Sequence, residues 1–164
     1  MYKRIIVPLD GSAAAECAID QVRSVAGAGS EVILVQIVAK PALDFVVPEP
    51  TLSACLDEEF TQEAGDYLSR IAAGLKMRGV TVSTCVLAEQ GPTGSLIVEF
   101  TKKAKGDLVI LSAHGRTGLM GRLLGSVAEK IVHHAGVPVL IAHPEPRQVL
   151  GSSTQRPSRP PSRS

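Results

Sequence analysis

Short β-branched runs alternate with amphipathic stretches from the first residues of this chain to about His143. The repeat is roughly the 30 residues that a strand, a crossover helix and a second strand require. Arg4-Ile5-Ile6-Val7-Pro8 is apolar and is stopped by Asp10 and Gly11, which reads as a buried strand and its turn. Ala15, Ala18, Ile19, Val22 and Val25 then recur at helical spacing on one apolar face, with Ser12 placed to cap the helix. Glu31 to Val38 is a second, nearly continuous apolar run and reads as a central strand. Lys40 to Ala54 contains Pro41, Pro48 and Pro50 without any period, so it reads as a long surface loop. From Leu56 onward the stripe Phe60, Ala64, Tyr67, Leu68, Ile71 and Leu75 makes a second helix that ends near Gly79. Val80 to Leu87 alternates more evenly, as a strand nearer a sheet edge does. Gly91-Pro92-Thr93 opens a third helix with Pro92 early in its first turn, and Leu96, Ile97, Phe100 and Ala104 supply its buried face. Asp107 to Leu111, Ser126 to Ala135 and Val137 to Ala142 complete the pattern as strand, helix and strand. Such alternation implies an α/β fold, a parallel sheet joined by right-handed crossovers.

Composition narrows the class. Hydrophobic residues are 45% and charged residues 20% of the sequence, but aromatics are only 3% and tryptophan is missing. A core built mainly from Ile, Val, Leu and Ala suits parallel strands covered on both faces. The domain is expected over residues 1–144, followed by a disordered Pro-, Ser- and Arg-rich tail at 145–164. Arg147, Arg156, Arg159 and Arg163 all follow Glu145, the last acidic residue. Setting them aside leaves 13 of the 17 basic residues against 16 acidic ones, a net charge of about −3 in place of +1. That is not the basic footprint of a nucleic-acid-binding domain. Cys17, Cys55 and Cys85 are odd in number and lack CxxC spacing, which argues against a disulfide framework and a zinc site. No apolar run approaches the roughly 18 residues of a membrane span, and the opening MYKRIIVPLDGS turns polar too soon for a signal peptide, so no membrane partner and a cytoplasmic location are expected.

The chemistry concentrates after the fourth strand. The segment from Ser112 to Ser126 carries Gly115, Gly118, Gly121 and Gly125, which let the backbone approach a ligand and turn its N–H groups inward. Gly125-Ser126 then opens a helix whose free N–H groups and dipole favour an anion, with Arg116 and Arg122 adding charge. A phosphate is the natural guest. Neither GxxxxGK[ST] nor a GxGxxG after the first strand is present, which excludes the two best-known phosphate loops. On spacing alone, the glycines could equally just shape a long loop. Asp10 has two readings as well, a turn residue capping the first helix or a carboxylate beside a sugar hydroxyl. His133 and His134 fall late on the fourth helix, where histidines complement the dipole. His143 has no nucleophile nearby in sequence, and His114 reads as a binding or structural residue before it reads as a base. No catalytic or metal-ligating constellation emerges, so slow hydrolysis is the most that is expected.

Ser112-x-x-Gly115, nine residues and then Gly125-Ser126 resembles the Gly-x-x-Gly, nine residues, Gly-Ser/Thr signature of the nucleotide-binding branch of the universal stress proteins. Ile5-Ile6-Val7-Pro8-Leu9-Asp10-Gly11-Ser12 is similar to that family's first strand and turn. Gly91-Pro92, Ile97, Ala104 and Asp107-Leu108-Val109-Ile110 resemble its middle, and Val137-Pro138-Val139-Leu140 its last strand. The likeness runs over roughly residues 2–143 and departs from the signature at Ser112, which replaces its first glycine. It implies a doubly wound five-stranded sheet of order 3-2-1-4-5 with helices on both faces. It also implies ATP or AMP, with Mg²⁺ as an optional companion, at the carboxyl ends of strands one and four. Pro8, Asp10 and Ile37 would line the adenine and ribose end. Ser112, Gly115, Gly125, Ser126 and Val127 would hold the phosphates, with His114 and Arg116 beside them. A homodimer through Val137 to Ala142 would complete the assembly. Three functional readings follow: a regulatory nucleotide-binding module, a weak ATPase or adenylate-dependent enzyme on the same scaffold, and a dimeric interaction protein without a ligand.

Overall fold

In the computed structural model, Ile5, Ile6 and Val7 are fully buried on both faces of the first strand, β1 (Arg4–Leu9). The described residues are 2–39, 50–76, 80–113 and 124–143, with 50–59 and 76 described by their backbone alone. β1 pairs in parallel with β2 (Glu31–Val38) from Arg4 opposite Glu31 to Leu9 opposite Gln36. On its other side it pairs with β4 (Leu108–Ser112), Ile5 opposite Leu108 and Ile6 opposite Val109. β3 (Thr81–Ala88) extends the sheet beyond β2, and β5 (Val139–Ala142) extends it beyond β4. The sheet is therefore parallel throughout in the order β3-β2-β1-β4-β5. This is the doubly wound order that the resemblance implies.

Strand alternation sends the core to two layers. Ile5, Val7, Leu9, Leu34 and Ile110 pack against α1 (Cys17–Val25) and α2 (Pro50–Lys76). Ile6, Val35, Val109 and Leu111 pack against α3 (Thr93–Lys103) and α4 (Ser126–His134). At the amino ends of the strands, the Asp107 carboxylate accepts the backbone N–H groups of Lys3 at 2.7 Å and Arg4 at 2.9 Å. Arg4 in turn donates to Glu31 at 2.9 Å and to the Ala104 carbonyl at 2.7 Å. These bonds join the feet of β1, β2 and β4.

Several boundaries differ from the sequence reading, four of them for a local physical reason. Ser12 Oγ does accept the Ala15 N–H at 3.1 Å, but α1 begins only at Cys17. The intervening turns close on the third residue back, Ala18 to Ala15 and Ile19 to Glu16, tighter than an α-helix. The loop expected through Ala54 instead gives way to α2 at Pro50, because proline at a first helical position gives up an N–H that has no helical partner anyway. Pro92 precedes α3 as its cap, with ψ 121°, and Thr93 is the first helical residue. β5 is shorter than Val137 to Ala142 because Pro138 has no N–H to donate; it contributes only its carbonyl, which accepts from Val109 at 3.0 Å. Residues 40–49 of the expected loop and the tail at 145–164 lie outside the described residues. Cys17 and Cys85 are half-buried free thiols. Among the described residues, no helix is long and apolar enough to cross a membrane.

Candidate functional site

The register of the sheet fixes what meets at its carboxyl edge. Leu9 stands opposite Gln36, and the β1–β4 pairing continued by the same step sets Leu9 level with Ser112. Asp10, Ile37 and Ala113 are therefore the next residues out on three adjacent strands. From there the chain leaves β1 toward α1 on one face and leaves β4 toward α4 on the other. The opening between two such departures is where doubly wound sheets take their ligands.

Each wall has a local cause. The Ser12 N–H donates to Asp10 Oδ1 at 2.9 Å, closing an Asx turn. Gly11 sits in it at φ +82°, a conformation that L side chains rarely adopt. One carboxylate oxygen of Asp10 is thus engaged in the turn. On the opposite wall, Ala113 donates its N–H to the Ala142 carbonyl at 2.9 Å and accepts the Gly125 N–H at 3.2 Å. Ala113 and Gly125 are therefore held directly together. Gly125 caps α4 in extended conformation without any side-chain hydrogen bond, and the first helical bond is Glu129 N–H to the Gly125 carbonyl at 2.9 Å. The N–H groups of Ser126, Val127 and Ala128 precede that bond and have no partner within the helix. They form the positive end of the helix dipole. A Cβ at Gly125 would meet the Ala113 carbonyl at an ordinary 3.7 Å, so packing among the described atoms does not demand glycine there.

The positions singled out in the sequence divide into two groups. Pro8 and Ile37 are half-buried near the carboxyl ends of β1 and β2, Ser112 is half-buried as the last residue of β4, and Ser126 and Val127 begin α4. His114, Gly115 and Arg116 lie outside the described residues. His133 and His134 are exposed in the last turn of α4, with His134 Nδ1 3.0 Å from the Lys130 carbonyl, in keeping with the dipole reading.

One feature at this edge escaped the sequence reading. A cavity of about 750 Å³ opens beside Gly11 between the end of β2 and α2. Gln36 and Tyr67 line it, and both Gln36 Oε1 and Tyr67 Oη are buried without a hydrogen-bond partner in the structure. A buried polar atom left so costs about 1–3 kcal/mol. Burial, followed by the charges of Glu16 and Asp10, pushes the Tyr67 hydroxyl up to about 12. Glu16 is close enough to act on this hydroxyl without completing a bond of good geometry. The Arg70 guanidinium lies 5.5 Å from the centre of the Tyr67 ring and opposes that rise. The signal in the sequence was a lone amide, Gln36, inside an otherwise apolar strand.

Sheet order, opposed chain departures and an uncapped helix terminus define a doubly wound α/β domain with a crevice at the reversal of its winding. The model of the Universal stress protein family matches residues 1–143, and the chain belongs to that family. Universal stress protein MJ0531 of Methanocaldococcus jannaschii is 32% identical over 143 residues, which cover 86% of this chain and 82% of that protein. Mycobacterium tuberculosis Rv2005c is 34% identical over 147 residues, and the chain spans 44% of its length. The solved structure of MJ0577 superposes with a TM-score of 0.74 at 30% identity, covering 87% of this chain and 96% of that one. More distant neighbours share the fold: a universal stress protein in complex with cAMP (23% identity, TM-score 0.55), an Arabidopsis thaliana protein with AMP bound (14%, 0.61) and the Archaeoglobus fulgidus protein in complex with dAMP (19%, 0.59).

Proposed function

We propose that this chain is a regulatory nucleotide-binding module that takes ATP or AMP across the crevice. The uncapped N-terminus of α4 carries the reading. It presents free N–H groups from Ser126 and Val127 level with the ends of β1 and β4, in a family whose solved members include adenine-nucleotide complexes. Gly115, Gly125, Ser126 and Val127 hold the phosphates together with Ser112, His114 and Arg116, while Pro8, Asp10 and Ile37 receive the ribose and base. Ser112 places a hydroxyl where the family signature has glycine, and a small hydroxyl can donate to a phosphate oxygen. Mg²⁺ would accompany ATP on its phosphates. The protein acts as a cytoplasmic homodimer joined along β5.

The test is calorimetric titration of ATP and Mg²⁺ into protein that has been unfolded, freed of bound nucleotide and refolded. Saturable heat at one site per subunit is expected. No heat, together with no nucleotide released when the native protein is denatured, would overturn the reading.

A further inference from the structure

We propose that the cavity between the end of β2 and α2 is a second small-molecule site, for a compact amine- or amidine-bearing compound. Its volume, about 750 Å³, falls within the few hundred to a thousand that small-molecule sites occupy. Gln36 is only 9% exposed and lines this space with its Oε1 unpartnered, and Tyr67, whose buried Oη likewise lacks a completed hydrogen bond, lines it too. Gln36 Oε1 is thus an unsatisfied acceptor in the wall, and Tyr67 Oη, near Glu16, is a second polar atom beside it. Gln36 Oε1 can only accept a hydrogen bond, so the guest must donate one.

Charge decides which donor. Glu63 and Asp66 stand in the walls, and the charges of Asp10 and Glu16 reach the Tyr67 hydroxyl. Arg70 is the one cation in the lining among the described residues, and it already lies against the Tyr67 ring. An anion meets net repulsion here, whereas a cation rich in N–H groups is drawn in. Ile37, Val38 and Ala64 supply apolar wall for the body of the molecule. Nucleotide phosphates would be repelled by the same carboxylates, which separates this pocket from the crevice although the two meet at Gly11 and Ile37. The inference does not depend on the crevice holding a nucleotide.

Benzamidine is a suitable probe, with benzoate as its anionic counterpart of nearly equal shape. Titration of each into the full chain, followed by amide NMR, should show benzamidine shifting the signals of Gln36 to Ala39 and Tyr67, with benzoate leaving them unmoved. Gln36→Leu should keep the thermal midpoint or raise it and weaken benzamidine about tenfold, the effect of losing one hydrogen bond to a charged group. Tyr67→Phe is the second variant and should weaken it severalfold. Excess ATP should leave benzamidine affinity within about twofold. Equal binding of benzoate, displacement by ATP, undiminished affinity in both variants, or no shift at these residues would each overturn the proposal; the last is the result for a cavity that holds only water.

Discussion

Asp10 shows how one side chain can serve structure and ligand together. Its Oδ1 closes the Asx turn at Ser12, and its negative charge stands at the edge of the crevice. Asp10→Asn keeps the acceptor and removes the charge, so stability should stay within about 0.5 kcal/mol while ATP affinity in calorimetry falls about tenfold. Asp10→Ala loses both and should cost about 1 kcal/mol of stability as well. An Asn variant that binds as tightly as the parent would confine Asp10 to the turn. Sequence left these two roles open because both need the same residue after the same strand; the turn is now visible, and the sugar contact awaits this comparison. Tyr67 makes a sharper prediction. Its hydroxyl titrates near 10 when unfolded and is pushed up to about 12 in the fold. Between those values the unfolded chain has lost the proton and the folded chain keeps it, so stability is full below pH 10 and declines as pH rises toward 12. Urea unfolding across that range should show a decline in the parent that is shallower in Tyr67→Phe; parallel profiles would mean that Tyr67 titrates as an exposed tyrosine.

The elements that carry the crevice depend on close helix packing. A Cβ on Gly94 in α3 would come within 2.8 Å of Lys130 Cβ and 3.3 Å of the Val127 carbonyl, both on α4. Gly94→Val should therefore push α4 away from α3, costing about 1–3 kcal/mol as an overpacked contact. Because Ser126 and Val127 travel with α4, the same change should weaken ATP binding. Thermal melts and calorimetry on the one variant read the two effects, and a stable Gly94→Val with parental affinity would show that the contact yields. β1, β2 and β4 were legible because strands buried on both faces read as unbroken apolar runs. The start of α2 was not, since Pro50 is a loop signal and a first-helical-turn signal at once. The uncapped opening of α4 was legible from Gly125-Ser126 because a helix without a capping side chain still announces itself through its glycine. The cavity was hidden, since Gln36 meets Tyr67 only when β2 and α2 pack together.

For the whole molecule, alternation in the sequence specifies a parallel sheet but leaves strand order open; the order came with the family resemblance, and pairing of β1 with both β2 and β4 now carries it. The edge strand β5 bears on assembly. Val139 packs into the α3–α4 layer and Leu140 into the α1–α2 layer, whereas Ile141 is half-buried and belongs to neither core. An uncovered apolar edge tends to pair with another chain. Ile141→Lys should accordingly convert a dimer to folded monomers in light scattering, with the melting curve retained; a persisting dimer would move the interface elsewhere. The central place of β1 also bears on how the chain is made. Its first neighbour is complete by Val38, but its second begins only at Leu108. A chain emerging from the ribosome therefore holds its central strand with one edge open through some seventy residues of further synthesis. Closing that edge late, across a long sequence separation, makes folding wait on translation.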